Sequence, residues 1–204
     1  MRLLYNFSTS MSRHEPDDYV RNMEVTVECY DEDCSNAYIL GKLAMDQILW
    51  ADAVFDDASL FEICDNDSQG FHEAHVILSK GANGIRKDLK VSDDFTHVMF
   101  IYGAVFHPAI HPFRQGIIDS AVNLFGRNSL AVMWKETSGL SEAELADMGF
   151  RKIAGAELIY RHNALSNAFS EGHPRGQDAD LIALPEHQEW VLEAWKEFAH
   201  MIDR

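Results

Sequence analysis

The sequence predicts a mixed α/β fold, strands and helices in one domain, followed by a separate C-terminal helix. Three observations carry that prediction. Residues 23–30, "MEVTVECY", set Val25, Val27 and Cys29 against Glu24, Thr26 and Glu28, the period of two that a half-buried strand needs. Residues 97–106, "HVMFIYGAVF", form a continuous apolar run with the look of a buried strand. Residues 115–125, "QGIIDSAVNLF", read as a helix that stops at Gly126, a natural C-terminal glycine.

The remaining elements follow in chain order. "AYILGKLAMDQILW" (37–50) is ambiguous: Tyr38, Leu40 and Gly41 favour a strand at its start, whereas "LAMDQILWADAVF" is equally compatible with a helix. "NDSQGFHEAHVILSK" (66–80) reads as a helix, with Asn66 as cap, Gln69 three residues on, and Phe71, His75 and Leu78 at helical spacing. "GANG" (81–84) punctuates it. Pro108 and Pro112 stop the 97–106 strand from continuing. "SLAVMWK" (129–135) is the next strand. "SEAELADMGF" (141–150) is a short helix with acidic residues in its first turn, which suits the helix dipole, and "GAELIYRHN" (155–163) is a last strand.

From residue 164 the composition turns small, polar and punctuated. The expected organisation is a domain over 1–163, a linker over 164–184 and a C-terminal helix over 185–204, starting with Pro185 in its first turn. Trp190, Val191, Ala194, Trp195, Phe198 and Ile202 make one apolar stripe on that helix. The stripe fits packing on its own domain or against a second subunit, so a homodimer is one expectation.

The bulk numbers bound the function. The chain has 204 residues, 47% hydrophobic and 11% aromatic, enough for a sizeable core. A formal charge of −16 speaks against nucleic acid and anionic membrane surfaces as partners, since both demand Lys and Arg to replace counterions. A small anionic ligand stays allowed, because a local pocket can oppose the global sign. The acid is spread over turns such as "EPDD" (15–18) and "SDD" (92–94), the pattern of solvated loops. Cys29, Cys34 and Cys64 are odd in number and form no CxxC pair, which argues against a disulfide framework. No window approaches the roughly 20 apolar residues of a membrane span, and the N-terminus lacks a signal-peptide pattern. A soluble, cytoplasmic protein is expected.

Two stretches point to a family. "ELADMGFRKIAGAELIYRHN" (144–163) is similar to a short helix ending in a Gly-Phe turn that leads into the last strands, and "GAVFHP" (103–108) to a central strand ending in a Val-x-x-Pro step. In that order and spacing, residues 98–163 resemble the GNAT acetyltransferases. The resemblance implies a splayed, mostly antiparallel sheet with helices on both faces. It also implies acetyl-CoA as cosubstrate, the thioester in the gap between two central strands, and the pyrophosphate at the following helix N-terminus. Val105, Arg114, Gln115, Gly116 and Ile117 are the residues it places beside acetyl-CoA.

The loop "HPFRQGIIDSAV" (111–122) departs from the family's Gln/Arg-x-x-Gly-x-Gly/Ala pattern. With Gly116 as the first glycine, Phe113 and Ile118 fall where Gln/Arg and a small residue belong. Registers from Arg114 or Gln115 put Ile117 and Asp119, or Ile118 and Ser120, in the glycine positions. Asp119 is then a candidate to occupy the helix dipole in place of a phosphate. Leu145 stands where the family often has the tyrosine that protonates the thiolate, and the counterpart of a frequent asparagine is Ser138.

Acylation of an amine needs a base, since a lysine-type amine with a pKa of about 10.4 is protonated at neutral pH. His107, at the strand end, is the first candidate base and Glu136 the second. The leading expectation is therefore N-acyl transfer from acetyl-CoA to a small-molecule or protein amine. The alternative is a non-catalytic GNAT-like protein that binds a ligand or protein partner. No metal is expected: Pro108 and Pro112 remove the helical meaning of the His107/His111 spacing, and His72, Glu73 and His75 do not form HExxH.

Overall fold

The structure, a computed structural model, describes residues 1–10, 15–31, 33–67, 69–79, 84–90, 95–126, 128–163 and 189–202, with side chains up to 197 in the last segment. Among them, seven strands form one sheet: β1 (Arg2–Thr9), β2 (Val20–Tyr30), β3 (Ala37–Ile48), β4 (His97–Phe106), β5 (Ser129–Trp134), β6 (Arg151–Lys152) and β7 (Leu158–Asn163). Their spatial order is β1-β2-β3-β4-β5-β7-β6, and only β4 with β5 is a parallel pair. The helices are α1 (Trp50–Phe55), α2 (Leu60–Asp67), α3 (Gln69–Leu78), α4 (Arg114–Phe125), α5 (Glu142–Asp147) and α6 (Glu189–Ile202). The protein is thus α+β, with a mostly antiparallel sheet.

Alternation of side chains along each strand divides the core between the two faces of the sheet. On one face Val25, Leu43, Met45, Ile101, Met133 and Ile159 pack against Ile117, Ile118, Ala121 and Val122 of α4 and Leu145 of α5. On the other, Ile48, Val98, Phe100, Val132 and Tyr160 pack against α1, α2 and α3 through Ala53, Ile63, Phe71 and Leu78. Phe71 stacks on Phe100 with ring centroids 4.9 Å apart. Both faces carry helices because both sets of alternate strand positions are apolar over β4 and β5.

Several boundaries differ from the sequence reading. The ambiguous 37–50 stretch is strand through Ile48, and only Trp50–Phe55 is helical. Pairing with β2 and β4 on both sides decides it, a tertiary constraint that overrides local propensity. Asn66 is not a cap: it lies inside α2, and its Nδ2 donates to Asp17 Oδ1. The first strand, β1, carried no signal strong enough to assign. Residues 155–163 give a strand only from Leu158, with the two-residue β6 before the turn. Ser141 caps α5, receiving the Glu144 N–H while Glu144 returns to the Ser141 N–H. The linker and residues 185–188 lie outside the described residues; the C-terminal helix is described over Glu189–Ile202.

The turn after β4 is regular. Residues Pro108–Phe113 form a 3-10 helix that runs straight into α4. At the other end of α4, Gly126 has φ −96°, so left-handed geometry is not its reason. A Cβ there would overlap the Val122 carbonyl oxygen and sit 2.7 Å from Ser129 Oγ. Close approach selects this glycine.

Candidate functional site

The β4–β5 ladder covers only the first half of β4. Register runs from His97↔Ser129 to Ile101↔Met133; β4 then continues to Phe106 paired with β3 alone. A bulge sits at the same place, where Ala44↔Gly103 gives way to Met45↔Ile101 and Tyr102 is the extra residue. β5 ends at Trp134, so β4 runs on beyond its parallel neighbour, and the loop after β4 lies at the end of that overhang.

That loop is held by its own side chains. The Phe106–His107 peptide points its N–H at the Leu40 carbonyl of β3 (2.7 Å), so its carbonyl faces the opposite way. His111 Nε2 lies 3.1 Å from that carbonyl oxygen and, facing an acceptor, carries the ring hydrogen there. Arg114 donates from Nε to the His111 carbonyl (3.1 Å) and from Nη1 to the Gly139 carbonyl (3.0 Å), stapling the start of α4 to the loop after β5. The Arg114 N–H itself goes to the His111 carbonyl. Phe113, the residue before α4, already has helical φ and ψ of −100° and −4° and makes no side-chain cap.

The other expected contacts of acetyl-CoA fall as follows. Ile117 is buried in the core with Ile118, and Phe113 packs against the same cluster. Gln115 and Gly116 are half-buried, and a Cβ on Gly116 would meet nothing within 4 Å. Val105 is half-buried opposite Lys42. Leu145 is a core residue, and Ser138 is buried with its Oγ accepting the Leu140 N–H at 3.2 Å. Asp119 does not serve the helix dipole. It sits in the second turn of α4, buried and ion-paired to Arg161.

The two candidate bases are apart in character. His107 Nδ1 accepts the Ala109 N–H at 3.2 Å, so the neutral ring carries its hydrogen on Nε2 and has no lone pair left. Its ring meets Trp190 of α6 edge to face, 5.7 Å between centroids. Glu136 is exposed in the turn after β5, beside Lys135.

A polar group not singled out in the sequence lies on the β2–β4 side. Asn22, Glu24, Ala44 and Tyr102, with Asn6 and Ser8 of β1, line a crevice of about 220 Å³, walled on one side by Trp195 of α6. Glu24 Oε1 binds Lys42 Nζ at 2.6 Å, and the same ammonium lies 5.3 Å from the centre of the Trp195 ring. Behind the floor, Asn22 Nδ2 donates to Asp46 Oδ1 at 3.0 Å. Burial, reinforced by Asp67, pushes the Asp46 carboxyl up to about 7 against the opposing pull of Asn22. The same causes, burial and then Asp67, push the Cys64 thiol up to about 12. The signal was present in the sequence: Asp46 is the lone carboxylate in the apolar run "LAMDQIL".

Of the histidines in "FHEAHV", His72 pairs with Asp65 at 2.8 Å, and His75 is buried, its basicity lowered by that burial and by His72. Among the described residues, no three His, Cys, Asp or Glu side chains are grouped to hold a metal ion. Nor is any helix among them long and apolar enough to cross a membrane.

The fold and this site define an α+β protein in which the central strand β4 outruns its parallel neighbour β5, with a self-bonded loop at its end and a crevice beside it. No family model, curated protein or solved structure matches the chain.

Proposed function

We propose that the chain is a GNAT-like protein that binds a ligand or protein partner and does not transfer an acyl group from CoA. Support for the scaffold is the succession β4, turn, α4, β5, α5, β6, β7 over residues 97–163, together with the run of β4 beyond the end of β5. The observation that carries the binding reading is Arg114. Its guanidinium, the cation that would face a pyrophosphate, is anchored through Nε and Nη1 on the His111 and Gly139 carbonyls, which fixes its direction. The 3-10 turn before α4 and the hydrogen-bonded Nδ1 of His107 point the same way. The crevice lined by Asn22, Glu24 and Tyr102 is a recess on the β2–β4 side that a ligand could enter.

The end of β4 that outruns β5 favours a second reading, acyl transfer from acetyl-CoA to an amine. There His107 is the base, or Glu136, and Val105, Arg114, Gln115, Gly116 and Ile117 lie beside the cosubstrate. His107 must then release the Ala109 N–H to regain a lone pair. Titration calorimetry with acetyl-CoA and free CoA separates the readings. The binding reading expects no heat up to millimolar ligand. Micromolar affinity overturns it, and a loss of turnover in His107→Ala across an amine screen would then establish the second.

A further inference from the structure

The sheet ends differently at its two sides. An edge strand offers a row of unpaired N–H and C=O groups, which proteins blunt with short strands, lysine, proline or a bulge. At one side β6 is blunted in this way: it is two residues long, Arg151 and Lys152, both exposed. At the other side β1 spans eight residues and pairs with β2 without a break from Arg2↔Glu28 to Thr9↔Arg21. It contains no lysine, proline or bulge, and among the described residues no strand pairs with its outer edge. Leu4 is 37% and Phe7 62% exposed there.

The acid of the chain is also missing from this edge. Residues 1–10, "MRLLYNFSTS", hold no Asp or Glu, although the chain has 33 and a net charge of −16. The one charged side chain of β1, Arg2, is paired with Glu28 at 2.8 Å. Repulsion between two copies is therefore low at β1. The strand is also self-complementary. Antiparallel partners that lie opposite each other share a face and a hydrogen-bonding state, so a two-fold axis between two β1 strands must pass through a residue. An axis through Tyr5 sets Leu3 opposite Phe7 of the second copy and Tyr5 opposite its own copy. Axes through Leu4 or Asn6 leave Phe7 opposite Met1, outside the strand, or Leu3 opposite Thr9. The Leu3, Tyr5, Phe7 row extends the apolar face that α4 covers, where Leu3 and Tyr5 already pack and Tyr5 lies 4.7 Å from Phe125 between ring centroids.

We infer that β1 is a dimerisation edge: a second copy of this chain adds its own β1 antiparallel to the first, with Tyr5 on the two-fold axis, and the two sheets become one. The contact uses the sheet edge and not the α6 stripe, and it does not rest on the binding reading above.

Sedimentation equilibrium of the full chain tests it. A single strand pair is a small interface, so dissociation is expected on the order of 10 μM, with the mass rising from the 23.1 kDa of one chain to twice that on concentration. Phe7→Lys puts a charge opposite Leu3 and should weaken association at least about tenfold, with urea unfolding unchanged because Phe7 is exposed; Leu4→Lys should act in the same direction. With the exposed Cys34 replaced by Ser, Tyr5→Cys should give a disulfide-linked dimer on oxidation, since opposite Cα atoms lie about 4.5–5.5 Å apart. Ser8→Cys in the same background should not, because its counterpart is six residues along the ladder. A chain that stays monomeric to about 300 μM, some thirty times that constant, overturns the inference. So does a dimer that both lysine variants leave intact, or equal cross-linking at positions 5 and 8. The CoA titration is independent of all these outcomes.

Discussion

Arg161 Nη1 donates to Asp119 Oδ1 at 2.5 Å, with each side chain 9% exposed, and the pair ties β7 to the second turn of α4. Three more of its N–H donors are also placed. Nη1 reaches the Met148 carbonyl (2.8 Å), Nη2 reaches Asn123 Oδ1 (2.8 Å) and Nε reaches Asn163 Oδ1 (2.7 Å). Asn123 closes the ring by donating to Asp119 Oδ2 at 2.9 Å. A buried pair of this kind contributes little net stability against apolar replacements, but removing one partner strands a charge. Asp119→Ala should therefore destabilise the fold by about 3–5 kcal/mol in urea unfolding at pH 7. The double variant Asp119→Leu/Arg161→Met should recover most of that loss. A single variant costing under about 1 kcal/mol would show that water reaches the guanidinium.

Asp46 makes stability depend on pH in the direction opposite to a salt-bridged carboxylate. Its folded value near 7 lies above the unfolded value of about 3.9. Between those values the native state binds more protons than the unfolded one, so stability falls as pH rises from about 4 to about 7 and is flat above. The integrated penalty is on the order of 4 kcal/mol. Asp46→Asn keeps an acceptor for Asn22 and never ionises. It should match the parent below pH 4 and unfold at clearly higher urea above pH 7. Parallel stability profiles for the two proteins across this range would mean that Asp46 is solvated.

Much of the fold was legible because β2, β4 and β5 carry patterns that local reading detects. The alternation of Val25, Val27 and Cys29 and the continuous run over 97–106 survive any tertiary context. What was not legible depends on partners far away in the chain. β1 is an edge strand whose pattern is mixed, with Phe7 and Leu4 exposed, and its pairing with β2 makes it a strand. Asn66 looked like a cap by its neighbours, yet its amide is used on Asp17. At the site, sequence placed Gln115 and Gly116 correctly at the start of a helix, which begins one residue earlier, at Arg114. It gave no sign that the preceding residues wind into a 3-10 turn or that Gly139 takes the guanidinium, because both depend on where the loop after β5 lies.

Gly116 in α4 and Gly126 just after it should respond oppositely to the same substitution. Gly116 lies in the first turn, and a Cβ there meets nothing, so Gly116→Ala removes a flexible residue from a helix at no steric cost. The expected gain is about 0.5–1 kcal/mol. At Gly126 the added carbon overlaps the Val122 carbonyl oxygen and crowds Ser129 Oγ, whose bond to the Gly126 carbonyl is 2.5 Å. Gly126→Ala should cost about 2–3 kcal/mol, since the contact is with backbone that cannot step aside. Thermal unfolding of the pair checks both signs. The first variant also bears on function: a phosphate that needed close backbone approach would be lost in Gly116→Ala, whereas a protein that never holds one is simply stabilised. A Gly116→Ala chain that melts earlier than the parent would mean that the start of α4 is not helical in solution.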